Sequence, residues 1–252
     1  MAKKRLVAGN WKMYMADAAE ARKFAVGLRR RTRGFSGVEV FLAPPLPFIA
    51  DIAKALESSP IEVGAQIISA HEDAPHTGEV SGRMLKGAGA SFVIVGHSER
   101  RASGETNDVV RASLERAVEA GLTPVLCVGE REREADGEHF AFIEAQLSSA
   151  LNNFPKNLLK KLVVAYEPVW AIGKSSVGAM KAPELEEMVI FVRKTLTDLL
   201  DRKAALNIRV LYGGSVEPGN ASELLAAGVN GFLVGHASAD LNSFVQIIQA
   251  CK

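Results

Sequence analysis

The segment LVVAYEP, residues 162–168, passes from five apolar or aromatic residues directly into Glu167 and Pro168. Short apolar, β-branched runs of this kind are typical of strands that are buried on both faces of a parallel sheet. An unpaired carboxylate inside such a strand would be very costly, because an isolated buried charge loses its hydration. Glu167 therefore either lies on an exposed turn after the strand or serves to move a proton at the end of the strand.

Similar runs recur along the chain and alternate with segments of helical periodicity, such as Asp17–Arg31, Asp108–Ala120 and Pro183–Leu200. Because the eight repeats follow one another without a linker, they predict a single (β/α)8 barrel over residues 1–252. A doubly wound open sheet is the alternative, but it would favour a GxGxxG turn after the first strand, where the chain has GNWKM. The predicted strands are Arg5–Gly9, Val38–Ala43, Ile61–Ala65, Phe92–Gly96, Thr123–Gly129, Leu162–Tyr166, Ile208–Tyr212 and Gly231–Gly235.

The composition excludes several classes of function. The formal net charge of the 252 residues is +1, which indicates no surface for nucleic acid or for an anionic membrane. Cys127 and Cys251 are too few for a disulfide framework, and His71 and His76 flank a polar loop without a third metal ligand. No signal-peptide core and no apolar stretch near the ~18 residues of a membrane span is present. We therefore expect a soluble, cytoplasmic protein that needs no metal ion.

The loops after the strands of such a barrel meet at one end, where catalytic residues are placed. Glu167, His97 and Lys12 would bring a base, a hydrogen-bond donor and a cation together there. Neither Ser98 nor Cys127 has an evident partner base, so this set favours proton transfer over nucleophilic catalysis. The polar residues that follow the predicted strands are Asn10, Lys12, Gln66, His97, Glu99, Glu130, Glu167 and Ser215.

Glycines follow the last three predicted strands at Gly173, at Gly213 and Gly214 before Ser215, and at Gly235. Barrels often bind phosphate at this position, because bare N–H groups and a helix N-terminus attract a dianion. The same glycines could also serve only to turn tight corners. The sequence thus favours a phosphorylated small molecule as the ligand.

Six motifs, in this order and over the whole chain, resemble the triosephosphate isomerase family. They are GNWKM, VGHSERR, LCVGE, AYEPVWAIGK, LYGGSV and GFLVGHAS. The resemblance implies a cofactor-independent aldose–ketose isomerase that interconverts dihydroxyacetone phosphate and D-glyceraldehyde 3-phosphate through an enediolate. In this family a carboxylate base acts together with a neutral histidine.

The resemblance also implies a role for each matching residue. Glu167 would be the base, His97 the neutral electrophile, and Lys12 and Asn10 would supply positive potential and orientation, with Glu99 supporting them. Substrate and phosphate would contact Asn10, Lys12, Gly173, Ser215, Gly235 and His236. The lid over the site would consist of Pro168, Val169, Trp170, Ala171, Ile172 and Gly173.

Two departures from the family pattern lie on the phosphate side. The segment Lys174–Lys181 makes the second hinge of the lid about three residues longer than usual, and the family's paired glycines are Gly235 and His236 here. These changes leave open an isomerase of another short sugar phosphate, such as a tetrulose phosphate. A non-catalytic phosphate-binding barrel is a further alternative.

A polar loop at Ala70–Gly82 is too long for a simple connection from strand to helix. Thr77 and Glu79 match the Thr-Gly-Glu that the family uses to dock this loop into a twin subunit. The resemblance therefore implies a homodimer in which Thr77 reaches the partner's active site.

Overall fold

Eight parallel strands form a closed barrel in chain order in the computed structural model, which describes residues 3–72, 74–133, 136–173 and 180–252. The predicted (β/α)8 barrel is confirmed, and the bounds of each strand differ from the prediction by at most one residue at either end. The strands are β1 (Arg5–Asn10), β2 (Val38–Ala43), β3 (Ile61–Ala65), β4 (Phe92–Val95), β5 (Thr123–Val128), β6 (Val163–Tyr166), β7 (Arg209–Tyr212) and β8 (Gly231–Val234).

Helices surround the barrel, and their ends follow from local sequence. The first helix starts at Ala18 because the Asp17 carboxylate caps it, accepting a hydrogen bond from the Glu20 N–H at 2.8 Å. Within the described residues, no helix is long and apolar enough to cross a membrane. The helices are α1 (Ala18–Arg31), α2 (Ile49–Ala55), α3 (Gly82–Gly87), α4 (Ser98–Ala102), α5 (Asn107–Glu119), α6 (Glu138–Leu151), α7 (Ala182–Leu199), α8 (Arg202–Asn207), α9 (Ala221–Ala226) and α10 (Leu241–Ala250).

Two apolar layers share the barrel strands, because successive side chains of a strand point to opposite faces. Phe41 and Phe92 stack inside the barrel with ring centroids 4.5 Å apart, whereas Val7 and Val93 face the surrounding helices. Since both faces of each strand are buried, the strands read as nearly continuous apolar runs. The residues inside the barrel are Leu6, Ala8, Phe41, Ala43, Phe92, Ile94, Val125, Cys127, Val163, Ala165, Leu211 and Leu233.

The barrel closes where β8 pairs with β1, and this pairing depends on a glycine. Gly231 has φ +137°, and a Cβ at this position would lie 1.9 Å from the carbonyl oxygen of Leu6. Neither the backbone conformation nor the contact can accept a side chain without a shift of β1.

We expect Gly231→Ala to lower the free energy of unfolding by about 2–4 kcal/mol, because β1 and β8 would have to separate. Urea unfolding measures this change. Gly219→Ala is the matched control, since a Cβ there meets no atom within 4 Å, and it should stay within about 0.5 kcal/mol of the parent. Equal losses in the two variants would contradict the role of Gly231 in closure.

Candidate active site

Asn10 and Lys12 enter the mouth from the end of β1. Lys12 has φ +44°, a left-handed conformation that costs a residue with a side chain on the order of 1–2 kcal/mol. The Lys12 N–H donates to Asn10 Oδ1 at 3.1 Å, and its carbonyl accepts from Gln66 Nε2 at 3.1 Å. These hydrogen bonds hold the strained turn, which aims the Lys12 side chain into the mouth.

The first residues of α4 supply an imidazole and a backbone donor. His97 is the N-cap of α4, and its Nδ1 accepts a hydrogen bond from the Glu99 N–H at 3.2 Å. We assign the proton to Nε2 from this bond, because a nitrogen that accepts cannot carry the hydrogen. The imidazole is therefore neutral and turns an N–H donor toward the mouth.

Glu167 follows β6 and is only 2% exposed. Its Oε2 accepts from the Ser98 N–H at 2.9 Å, and its Oε1 lies 3.3 Å from His97 Nε2. Two glycines make the space that it occupies. A Cβ at Gly129 would lie 1.8 Å from the Glu167 carbonyl oxygen, and one at Gly213 would lie 2.8 Å from Glu167 Cγ. The carboxylate is thus buried, hydrogen-bonded and closely confined.

Lys12 and Glu99 form an ion pair across the mouth, with Lys12 Nζ 2.7 Å from Glu99 Oε1. Partial burial of Glu99 would raise the pKa of its carboxyl group, but the hydrogen bond from Lys12 and the positive charge of Lys12 outweigh burial and lower that pKa. Glu99 therefore remains ionised. The Glu99 carboxylate binds the Lys12 ammonium group, which an anionic ligand would otherwise contact.

The segment Pro168–Gly173 begins directly after the carboxylate, and a buried acid holds its first part. The Val169 N–H donates to the Glu130 carbonyl at 2.9 Å, and Trp170 Nε1 donates to Glu130 Oε1 at 2.8 Å. The Tyr166 hydroxyl donates to the same Oε1 at 2.8 Å, and burial followed by the Glu130 charge raises the pKa of Tyr166. The predicted second hinge, Lys174–Lys181, lies mostly outside the described residues.

Three of the residues predicted to bind phosphate, Ser215, Gly235 and His236, follow β7 and β8. A Cβ on Gly235 would lie 3.6 Å from Lys12 Cε, an ordinary contact distance, so Gly235 lies beside the lysine side chain. The Ser215 hydroxyl donates to the Ala171 carbonyl at 2.9 Å, whereas the His236 ring contacts the Tyr14 ring at 5.2 Å between centroids. The structure therefore brings Gly235 beside Lys12 and joins Ser215 to the segment Pro168–Gly173, while His236 packs on an aromatic ring.

A 3₁₀ turn, His236–Ala239, follows Gly235, and α10 begins only after Asp240 has capped it by accepting from the Ser243 N–H at 2.8 Å. The helical N-terminus that lies next to Gly235 is therefore that of the 3₁₀ turn and not that of α10.

Several groups at the site could not be predicted from sequence patterns. The Ser98 N–H could have been anticipated only from the helix N-terminus that follows β4, and nothing in the sequence pairs Gln146 with Gly129. Ser238 lies against the end of β1, since its hydroxyl donates to the Gly235 carbonyl at 2.7 Å, lies 3.3 Å from the Asn10 carbonyl oxygen, and its own carbonyl accepts from Trp11 Nε1 at 2.9 Å. The described residues contain no group of three or more His, Cys, Asp or Glu placed to hold a metal ion.

The predicted docking loop is exposed at Thr77 and Glu79. A hydrogen bond from the Ser69 N–H to the Val80 carbonyl at 3.0 Å closes its base, and the rings of His71 and His76 stack with centroids 3.9 Å apart. Its described residues thus present polar side chains to the outside.

Comparison with known proteins places this geometry in context. Residues 5–251 match the family model described as triosephosphate isomerase. The chain is 40% identical over 254 residues to the triosephosphate isomerase of Rhodopirellula baltica, covering 99% of this chain and 98% of that protein. It is 41% identical over 252 residues to that of Herminiimonas arsenicoxydans, covering 98% and 99%, and 41% identical over 255 residues to that of Alkalilimnicola ehrlichii, covering 99% of both.

Both cysteines should resist thiol reagents in the native protein. Burial raises the pKa of Cys251 to about 12, and burial together with the neighbouring Glu167 charge raises the pKa of Cys127 well above its usual range. At about pH 8 almost no thiolate is present, so labelling should be far slower than in denaturant. Labelling with a chromogenic disulfide, with and without guanidinium, measures this. Rapid reaction of one thiol in the folded protein would contradict the burial.

Proposed function

The chain belongs to the triosephosphate isomerase family, and on that premise we propose that it interconverts dihydroxyacetone phosphate and D-glyceraldehyde 3-phosphate with the residues gathered at its barrel mouth. The observation that carries the assignment is the 3.3 Å contact between Glu167 Oε1 and His97 Nε2. A carboxylate and a neutral N–H donor side by side are what a proton shift next to a carbonyl needs, and this chemistry requires no cofactor.

Glu167 would remove a proton from the carbon beside the substrate carbonyl and return it to the neighbouring carbon. In the structure its carboxylate is engaged by the Ser98 N–H and by His97 Nε2. A substrate carbonyl that takes the His97 hydrogen bond would free one carboxylate oxygen. Substrate binding would therefore itself convert a stabilised carboxylate into an available base.

His97 would hydrogen-bond the substrate oxygen that becomes negative in the enediolate. A neutral imidazole suits this task, because an N–H donor stabilises the oxyanion without first giving up its proton to it. Asn10, which is 4% exposed, would orient the substrate beside it. Lys12 would add positive potential, after exchanging its ion pair with the half-exposed Glu99 for the anionic substrate.

The phosphate would lie between Lys12 and the turns at Gly173, Ser215 and Gly235. The proximity of Gly235 to the Lys12 side chain supports this placement. Pro168 to Gly173 would act as the lid, which excludes water so that the enediolate keeps its phosphate and the electrostatic contacts are strengthened. The hydrogen bond from Ser215 to the Ala171 carbonyl would couple the lid to the phosphate side.

We also propose that residues 1–252 form one catalytic domain, that the protein acts in the cytoplasm, and that it is a homodimer. Two free cysteines suit a reducing compartment. The exposed Thr77 and Glu79 support the dimer, since a long polar loop gains little unless it packs on something. The interface would be isologous, with each loop entering the other subunit in the same way.

Replacing Glu167 with Gln keeps the shape of the side chain and removes the base. We expect turnover to fall by about 10² to 10⁴ while ligand binding is largely retained. Coupled assays with triose and tetrose phosphates measure both the loss and the substrate range, and Glu144→Gln on the exposed face of α6 is the matched control. Turnover of Glu167→Gln within about tenfold of the parent would exclude Glu167 as the base.

A charge at the loop tip tests the dimer. Thr77→Arg should yield folded monomers with little activity, because a buried, unpaired guanidinium would oppose docking. Light scattering at micromolar concentration, circular dichroism and the isomerase assay measure assembly, fold and activity. Ser36→Arg adds the same charge at an exposed site between α1 and β2 and should remain dimeric. A parent protein that is fully active as a monomer would refute the proposal.

A further inference from the structure

A buried amide on α6 makes two hydrogen bonds to one residue beside the base. Gln146 is 4% exposed and lies among the apolar residues that α6 packs against the barrel. Its Oε1 accepts from the Gly129 N–H at 2.8 Å, and its Nε2 donates to the Gly129 carbonyl at 3.2 Å. A buried amide group that found no such partners would be destabilising, so this pairing fixes both the helix and the glycine.

The backbone around Gly129 continues the pairing of β5 with β6 beyond the ends of both strands. The Glu167 N–H donates to the Val128 carbonyl at 2.8 Å, and the Val169 N–H donates to the Glu130 carbonyl at 2.9 Å. In a parallel sheet the residue between two such positions directs its own N–H and C=O to the opposite neighbour. That neighbour is β4, which has already ended at Val95.

The Gln146 amide therefore supplies the two hydrogen bonds that a longer β4 would have supplied. Without it, the Gly129 N–H and carbonyl would be buried without these partners, at a cost comparable to lost hydrogen bonds. The chain needs β4 to end early, because His97 and Ser98 must turn into α4 to reach the carboxylate.

Gly129 also packs directly against the backbone of Glu167, the proposed base. The close approach of its Cα to the Glu167 peptide leaves no room for a Cβ. A movement of Gly129 would therefore displace the Glu167 backbone, and small displacements of a reacting group lower the rate strongly. Glu130, the next residue, holds the lid through Trp170, so the same movement would reach the lid.

We propose that Gln146 is a positioning residue for proton transfer, which acts by clamping Gly129 and thereby seating Glu167. The proposal rests on the proposed function, in which Glu167 is the base. Gln146 itself contacts no substrate, and its effect would be on turnover rather than on substrate affinity.

Gln146→Leu removes both hydrogen bonds at nearly constant volume. We expect kcat to fall by about 10- to 100-fold with KM within about threefold, because the base is misplaced while the phosphate contacts persist.

Two control variants separate this loss of kcat from a general loss of packing. Gln249→Leu makes the same change on the exposed face of α10, and Leu147→Ala weakens the packing of α6 but retains the Gln146 amide that binds Gly129. Both folded controls should keep the parent kcat.

Gln146→Glu should change the pH dependence of kcat in a way that a purely structural role of Gln146 would not. A protonated carboxyl group has one acceptor and one donor, as the amide does, whereas an ionised one can only accept and would repel the Gly129 carbonyl. Burial raises the pKa of such a carboxyl group toward neutrality. The ratio of the variant's kcat to that of the parent should therefore rise as the pH falls from about 8 to about 6, while the ratio for Gln146→Leu should not change.

A measurement independent of activity completes the test. Hydrogen exchange of the Glu167 and Val169 amides should accelerate by about tenfold or more in Gln146→Leu, with exchange in β2 unchanged. Parent-like exchange together with parent-like kcat, or a Gln146→Glu ratio that is flat with pH, would overturn the proposal. If the parent shows no isomerase activity, the proposed function fails instead, and the exchange result alone decides whether Gln146 seats Glu167. If Gln146→Leu does not fold, the pH dependence of Gln146→Glu decides.

Discussion

Burial of both faces of the strands over most of their length is the constraint on which this structure depends. A charged side chain in the middle of such a strand would be very costly, so the chain places its charges near the strand ends. The eight ends point the same way, and the barrel gathers their side chains around one axis. The same constraint that makes the barrel stable thus concentrates Lys12, His97 and Glu167 in one place. The Glu167 carboxylate can follow a buried strand because the ends of the seven other strands surround it with polar groups.

The polar groups at the mouth contact one another. Glu167 is engaged by His97 and the Ser98 N–H, while Lys12 is engaged by Glu99. The contacts of Glu167 prevent a buried carboxylate from being left unpaired, and the Lys12–Glu99 pair joins a partly buried ammonium group to an exposed carboxylate. In the proposed function an anionic carbonyl substrate would take over His97 and Lys12, so binding would exchange partners instead of creating unpaired charges.

Much of the fold could be predicted from the sequence, because a buried parallel strand reveals itself within its own five or six residues. The positions of Lys12, His97 and Glu167 followed for the same reason, since each comes directly after a strand. Gln146 and the Ser98 N–H could not be found in this way. Gln146 lies 17 residues from Gly129 on another element, and its apolar helix face gives no sign that an amide there has a backbone partner. The α10 cap by Asp240 was missed because the extra 3₁₀ turn after β8 has no distinct pattern.

A buried acid next to Gly129 holds the segment Pro168–Gly173 that follows Glu167. Glu130 is 1% exposed, and one of its oxygens receives hydrogen bonds from both Tyr166 and Trp170. The other oxygen, Oε2, has no hydrogen-bond partner among the described residues. A buried carboxylate that is satisfied on one oxygen only gains from any further donor that reaches it. Val169 and Trp170 tie the first part of this segment to the residue next to Gly129, so Glu167 and the segment share one support at the end of β5. In the proposed mechanism, closure of the segment over a substrate would leave the carboxylate in place, because both contact the same backbone.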